Sequence, residues 1–345
     1  MARQRGLMTK RFEDVHRVLE KERAGQSDLY CPLSRMHLRG GSSLAPIHDR
    51  YQVDLDCDGR VRSMALAPTA LNHLCGFAGI PYSFLERVPS ALGLKLLRCL
   101  LEMASGDEDR AFLFRLKEAR TPRIRAILPA SFVRISDREL LEDVEHSLDR
   151  PAAIMNLAIT ADLFSLRVVF PGEGMELGYG DPAMPGLDLQ SSETGLHQLQ
   201  VRRVLFRQVC ANGMTSLTDS QKLLQKRMTR FDRGEFRAAV RQGAAEAVGY
   251  GREMAERLRT ARTEFLKDPA SEIERLFTNY KLGSPRGDRA QWVANALVRD
   301  MPLFGVGRFE VVQAFTAVAR GLEHEHRVKW EDAMSDYVAN GGSAG

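Results

Sequence analysis

Residues 186–230 read GLDLQSSETGLHQLQVRRVLFRQVCANGMTSLTDSQKLLQKRMTR, and the way this stretch divides decides the fold. Residues 187–192 and 197–210 are extended segments, with apolar and polar positions alternating as in a half-buried strand. Ala211-Asn212-Gly213 is a tight-turn signal, because Asn and Gly both accept left-handed backbone. Thr218-Asp219 has the chemistry of a helix N-cap, so the predicted path is strand, turn, helix. Along it sit Arg202, Arg203, Arg207, Lys222, Lys226, Arg227 and Arg230, against acids only at Asp188, Glu193 and Asp219. Cations clustered at such a junction form an anion-binding surface.

Working outward, residues 9–24 carry Phe12, Val15 and Leu19 at helical spacing, while 25–50 are rich in Gly, Ser and Pro and read as a linker. Alternation at 51–55, a Cys57-Asp58-Gly59 turn signal and a return at 61–66 predict a hairpin. Helices are expected at 69–78, 82–88 and 91–104. Short strands follow at 111–117, 123–128 and 132–135, then a helix at 137–148 and strands at 155–159 and 163–170. From 218 onward the chain reads as mostly helix, with Met254, Leu258, Ala261 and Phe265 as one apolar stripe and Val311, Phe315, Val318 and Leu322 as another. The order predicts an α+β fold: a central antiparallel, strongly twisted sheet, an N-terminal helical block and a helical C-terminal region. The expected divisions are 1–50 (helix and linker), 51–217 (α+β core), 218–338 (helical) and 339–345 (tail).

A chain of 345 residues can bury a large core. No apolar run approaches the roughly 18–20 residues of a membrane span, and the N-terminus lacks a signal-peptide core, so a cytoplasmic protein is expected. Five cysteines without a C-x-x-C pair argue for reduced thiols, most of them packed as small hydrophobes. The net charge of +4 decides nothing, but its distribution does. Residues 115–138 hold Arg115, Lys117, Arg120, Arg123, Arg125, Arg134 and Arg138 against Glu118 and Asp137, and 139–149 then turn acidic.

Catalytic signatures are missing from the sequence: there is no P-loop, G-x-S-x-G elbow or H-E-x-x-H helix. Gly305-Val306-Gly307 lacks the third glycine of a dinucleotide site. His324 and His326 on a helix would point about 200° apart and cannot share one ion. Asp54, Asp56, Asp58 and Gly59 match the opening of a calcium loop, but its closing position is Ala65 rather than Glu. No cofactor, metal or catalytic residue is therefore expected.

Four segments, in order, carry a family likeness. They are 69–89 (TALNHLCGFAGIPYSFLERVP), 123–148 (RIRAILPASFVRISDRELLEDVEHSL), 187–213 with its SSETG and FRQVCANG, and 309–322 (FEVVQAFTAVARGL). The arrangement resembles the phage- and plasmid-encoded family catalogued as domain of unknown function 932, over roughly residues 50–335. The chain departs from that pattern at Ser191, where the family has asparagine, and at Gln313-Ala314-Phe315-Thr316, where it has an Asn-Ala pair. The resemblance implies a mobile-element protein. A strand-rich centre followed by helices is similar, by analogy, to phage single-strand annealing proteins.

The leading expectation is a protein that binds single-stranded DNA and promotes annealing without a chemical step, assembling as a ring or filament. Its grip would come from Arg123, Arg125, Arg202, Arg203 and Arg207 lining one channel if their strands are neighbours, joined by Lys222, Lys226, Arg227 and Arg230. Phe206, Phe231 and Phe236 lie near the basic run but read as core, which favours a backbone-gripping mode. The alternatives are a protein–protein interaction factor of a phage or plasmid, and a nucleic-acid-processing enzyme whose carboxylates converge only in the fold.

Overall fold

The computed structural model describes residues 10–40, 45–57, 59–105, 110–118, 121–177, 181–208, 215–299 and 305–339. The chain opens with α1 (Phe12–Arg23), β1 (Gln26–Pro32), β2 (Met36–Gly40), β3 (Tyr51–Cys57) and β4 (Arg60–Leu66). Three helices follow, α2 (Pro68–Phe77), α3 (Tyr82–Arg87) and α4 (Ser90–Ser105), and then β5 (Ala111–Lys117) and β6 (Arg123–Pro129). Next come α5 (Asp137–Ser147), β7 (Ala153–Ile159), β8 (Phe164–Val169), β9 (Met175–Glu176), β10 (Pro182–Ser191), β11 (Leu199–Gln208) and β12 (Thr215–Lys226). The rest is helical: α6 (Arg233–Thr263), α7 (Pro269–Asn279), α8 (Asp288–Arg299), α9 (Arg308–Ala319) and α10 (His324–Ala339).

The fold is α+β, as the order of elements implies. Among the described residues the strands form two sheets rather than one. The first runs β1-β5-β6-β4-β3-β2, the second β12-β11-β10-β8-β7 with β9 on β10. Every pairing is antiparallel except the short β4–β6 contact. The first sheet packs α2 and α4 on one face, where Phe114, Leu116, Ile124 and Ile127 join Leu71, Leu74 and Leu97. Its other face, through Leu113, Ala126 and Leu128, shares a core with α1, α5, α6, β8 and β10. The two sheets are thus knitted into one body around α5.

Three expectations are corrected. Residues 25–50 are no linker: Met36 and Leu38 point inward and His37 and Arg39 outward, a period-2 pattern that seats β2 on β3. Thr218-Asp219 starts no helix. Both lie in β12, which returns antiparallel along β11 and pairs Val201 with Leu224 and Phe206 with Leu217. A ladder that covers the open edge of β11 outweighs a local capping preference. Residues 132–135 form no strand. They lead into α5, which starts where Ser136 and Glu139 cap each other reciprocally.

The long α6 is capped by Asp232, whose side chain accepts from the Glu235 amide. It lies close on the second sheet through small residues: a Cβ added at Gly243 would come within 2.7 Å of Leu187 and Leu223. The expected stripe ends at Ala261, because α6 stops at Thr263 and Phe265 is 59% exposed. The C-terminal helices close over their own core, where Trp330 meets Phe277 edge-on at 5.3 Å. No helix among the described residues is long and apolar enough to cross a membrane.

Candidate nucleic-acid interface and an arginine-lined cleft

The expected arginine wall is not formed. Arg123 and Arg125 belong to β6 of the first sheet, and Arg202, Arg203 and Arg207 to β11 of the second, so the strands are not neighbours. Arg202 is fully buried. It grips Asp188 and reaches Asp332 of α10 at 2.8 Å. Burial opposes its charge, but Asp188 and Asp332 more than restore it, so the guanidinium is held more basic than usual. Arg167 of β8 shares Asp188 at 3.1 Å and pairs with Glu331 of α10 at 3.0 Å. Burial also opposes the Asp188 charge, and the two arginines overcome it and hold that carboxyl below the usual range. The sequence reading of Arg202 as a DNA contact fails because a strand residue facing a helix needs an internal counter-charge. That counter-charge comes from Asp188, opposite it on β10, and from Asp332, 130 residues away.

The other predicted residues divide. Arg203 pairs with Glu246 and stacks over Tyr250, 5.2 Å from the ring centroid. Lys226 pairs with Glu235, and Arg123 meets Asp49 at 3.3 Å. Arg125 meets Glu193 at 3.2 Å and the Gln26 side chain at 2.7 Å. The Arg207 side chain, like the Asn212-Gly213 turn, lies outside the described residues. Lys222, Arg227 and Arg230 are exposed and have no ion-pair partner among the described residues.

Arg227 and Arg230 open a basic stripe that continues where the sequence reading stopped. Residues 226–241 hold six cations (Lys226, Arg227, Arg230, Arg233, Arg237, Arg241) against two acids. Asp232 caps α6 and Glu235 holds Lys226. Arg233 and Arg237, nearly half exposed, share the single buried carboxylate of Asp143 on α5. Arg241 is exposed and without an ion-pair partner among the described residues. Arginines 233, 237 and 241 recur every four residues, which drifts only about 40° per step around a helix. That i, i+4, i+8 spacing was the signal in the sequence that could have found them. The nearby aromatics Phe206, Phe231 and Phe236 are wholly or partly packed away. Phe206 and Phe236 are buried, and Phe231 packs on Phe236 at 6.0 Å between centroids.

A second feature lies between the sheets. A cleft of about 500 Å³ is walled by the C-terminal turn of α1, the start of α2, β6, the first turn of α5 and the loop after β7. Arg123 and Arg125 do line one wall of it, on the same side of their strand as expected. A bulge falls at this point of the strand: Arg115 pairs with Ala126 and Leu116 with Ile124, which leaves Arg125 as the extra residue. Five cationic residues border the cleft (Arg23, Lys117, Arg123, Arg125, Arg138) against three carboxyls (Glu22, Asp137, Glu193).

Within it, Glu193 accepts the Asp137 backbone N–H at 3.1 Å, and Arg115 donates to the Glu193 carbonyl at 2.8 Å. Asp137 Oδ1 is shut off from solvent and meets no hydrogen-bond partner among the described residues. Burial first, and the Glu193 charge second, push the Asp137 carboxyl up to about 8. Arg115, Arg125 and Arg23 only moderate that rise. No group of three metal-binding side chains occurs among the described residues.

No family model matches the chain, and neither a curated protein nor a solved structure does.

Proposed function

We propose that the chain is a nucleic-acid-binding protein that holds single strands by their phosphates along the basic stripe of residues 226–241 and brings complementary strands together. The observation that carries this reading is the charge imbalance of the stripe, where exposed Arg227, Arg230 and Arg241 have no ion-pair partner among the described residues and two further arginines share one carboxylate. Guanidinium groups spaced this way bind phosphate oxygens and release counterions, which gives affinity without reading bases. The packed state of Phe206, Phe231 and Phe236 favours backbone contact over stacking. The ordered segments that resemble the domain of unknown function 932 family suggest a mobile-element setting. Several copies along one strand, as a ring or filament, would present enough bases for annealing.

Fluorescence anisotropy with a labelled oligothymidylate, across a salt series, tests this. The combined Arg227→Gln, Arg230→Gln and Arg241→Gln variant is expected to flatten the log–log salt slope by about 2 and to lose at least about tenfold in affinity. Asp143→Asn should act oppositely, freeing Arg233 and Arg237 and tightening binding several-fold. Annealing of a complementary strand should persist in a metal chelator. An unchanged salt slope in the triple variant would sink the reading.

A further inference from the structure

The cleft between the sheets is separate from the basic stripe and is built for a smaller ligand. We propose that it binds a phosphate monoester carrying a flat apolar body, of mononucleotide size, through Lys117, Arg123, Arg125 and the carboxyl of Asp137. Its volume of about 500 Å³ falls within the range of small-molecule sites. Of its cations, Arg123 is paired with Asp49, Arg125 with Glu193 and Arg138 with Glu20 and Glu142, while Lys117 has no ion-pair partner among the described residues, so Lys117 supplies the charge that favours an anion. Leu19, Pro68 and Ile159 supply an apolar wall against which a ring can lie.

Asp137 gives the site its character. An ionised carboxylate would repel phosphate, whereas a protonated one donates a hydrogen bond to it. The residue is hemmed by Glu193 from the loop after β10, Arg115 of β5, Arg125 of β6 and Arg23 of α1, and it keeps its proton near neutrality. Its Oδ1 is shut off from solvent and meets no donor or acceptor among the described residues, which favours the neutral carboxyl over the charged one. Arg125, the extra residue at the bulge, lines the same cleft. Lys117 is exposed and has no ion-pair partner among the described residues, so it is free to neutralise the ligand.

Calorimetric titration of the full chain with adenosine monophosphate, adenosine and inorganic phosphate tests the proposal, between pH 7 and 9.5 where the monoester stays dianionic. The monophosphate should bind more tightly than either fragment, and its affinity should fall about tenfold per pH unit above about 8. A 5′-phosphorylated dinucleotide arm separates a strand's terminal phosphate from a free nucleotide. Asp137→Asn keeps a donor but cannot ionise, so it should hold its affinity through pH 9. Lys117→Gln, at an exposed position, should fold normally and bind several-fold more weakly at every pH. Absence of saturable binding by about 1 mM ligand, or a pH profile that Asp137→Asn leaves unaltered, overturns the proposal. The triple stripe variant should bind the monophosphate normally, so failure at one site leaves the other standing.

Discussion

Asparagine in place of Asp188 is expected to cost about 3–5 kcal/mol of folding free energy, measurable by urea denaturation. Asp188 is fully buried and is the common acceptor for Arg167 and Arg202, themselves almost wholly shielded from water. Removing its charge leaves two buried guanidinium groups with Glu331 and Asp332 of α10 as their counter-charges among the described residues. The loss should be greatest where α10 docks, so amide protons of α10 should exchange faster than those of α2 on the first sheet. A cost under about 1 kcal/mol would mean that the cluster admits water and behaves as a surface pair.

Stability is also expected to decline as pH rises from about 5 to 8, with Asp137→Asn abolishing most of the decline. The Asp137 carboxyl has an ordinary value of 3.8 and is raised to about 8 in the fold. Across that window the native state therefore holds one proton more than the unfolded chain. A raised value contributes stability that is complete below the unfolded value and is lost as pH climbs through the folded one. One proton corresponds to a slope of up to about 1.4 kcal/mol per pH unit. Thermal melts at pH 5, 6.5 and 8 should separate the wild type from Asp137→Asn by several degrees at pH 8, the variant being the more stable. Parallel melting curves across the series would show that Asp137 ionises normally.

Much of the architecture could be read from local pattern. The cap at Ser136 with Glu139, the hairpin around Gly59 (φ 70°) and the apolar stripes of the C-terminal helices are written in adjacent residues. Sheet membership was not, because strand pairing joins residues far apart: β1 bonds to β5, some 85 residues on. The Thr218-Asp219 cap misled because the same residues pair along β11 once the chain turns back. Charge was the least legible property. Arg202 and Arg230 look alike in the sequence, yet one faces α10 and is neutralised by Asp188 and Asp332 while the other faces solvent. The Asp137–Glu193 contact lay equally hidden, since 56 residues separate the two.

The counter-charges on α10 set a condition on biosynthesis. Arg167 leaves the ribosome 164 residues before Glu331 does. At about 5–20 residues per second that is a delay of roughly ten to thirty seconds. Once β11 has also emerged, and until α10 follows, the second sheet carries two arginines short of their full complement of anions and cannot exclude water from them. The nascent sheet must wait, open and hydrated, until a helix made some 130 residues after Arg202 arrives to seal it.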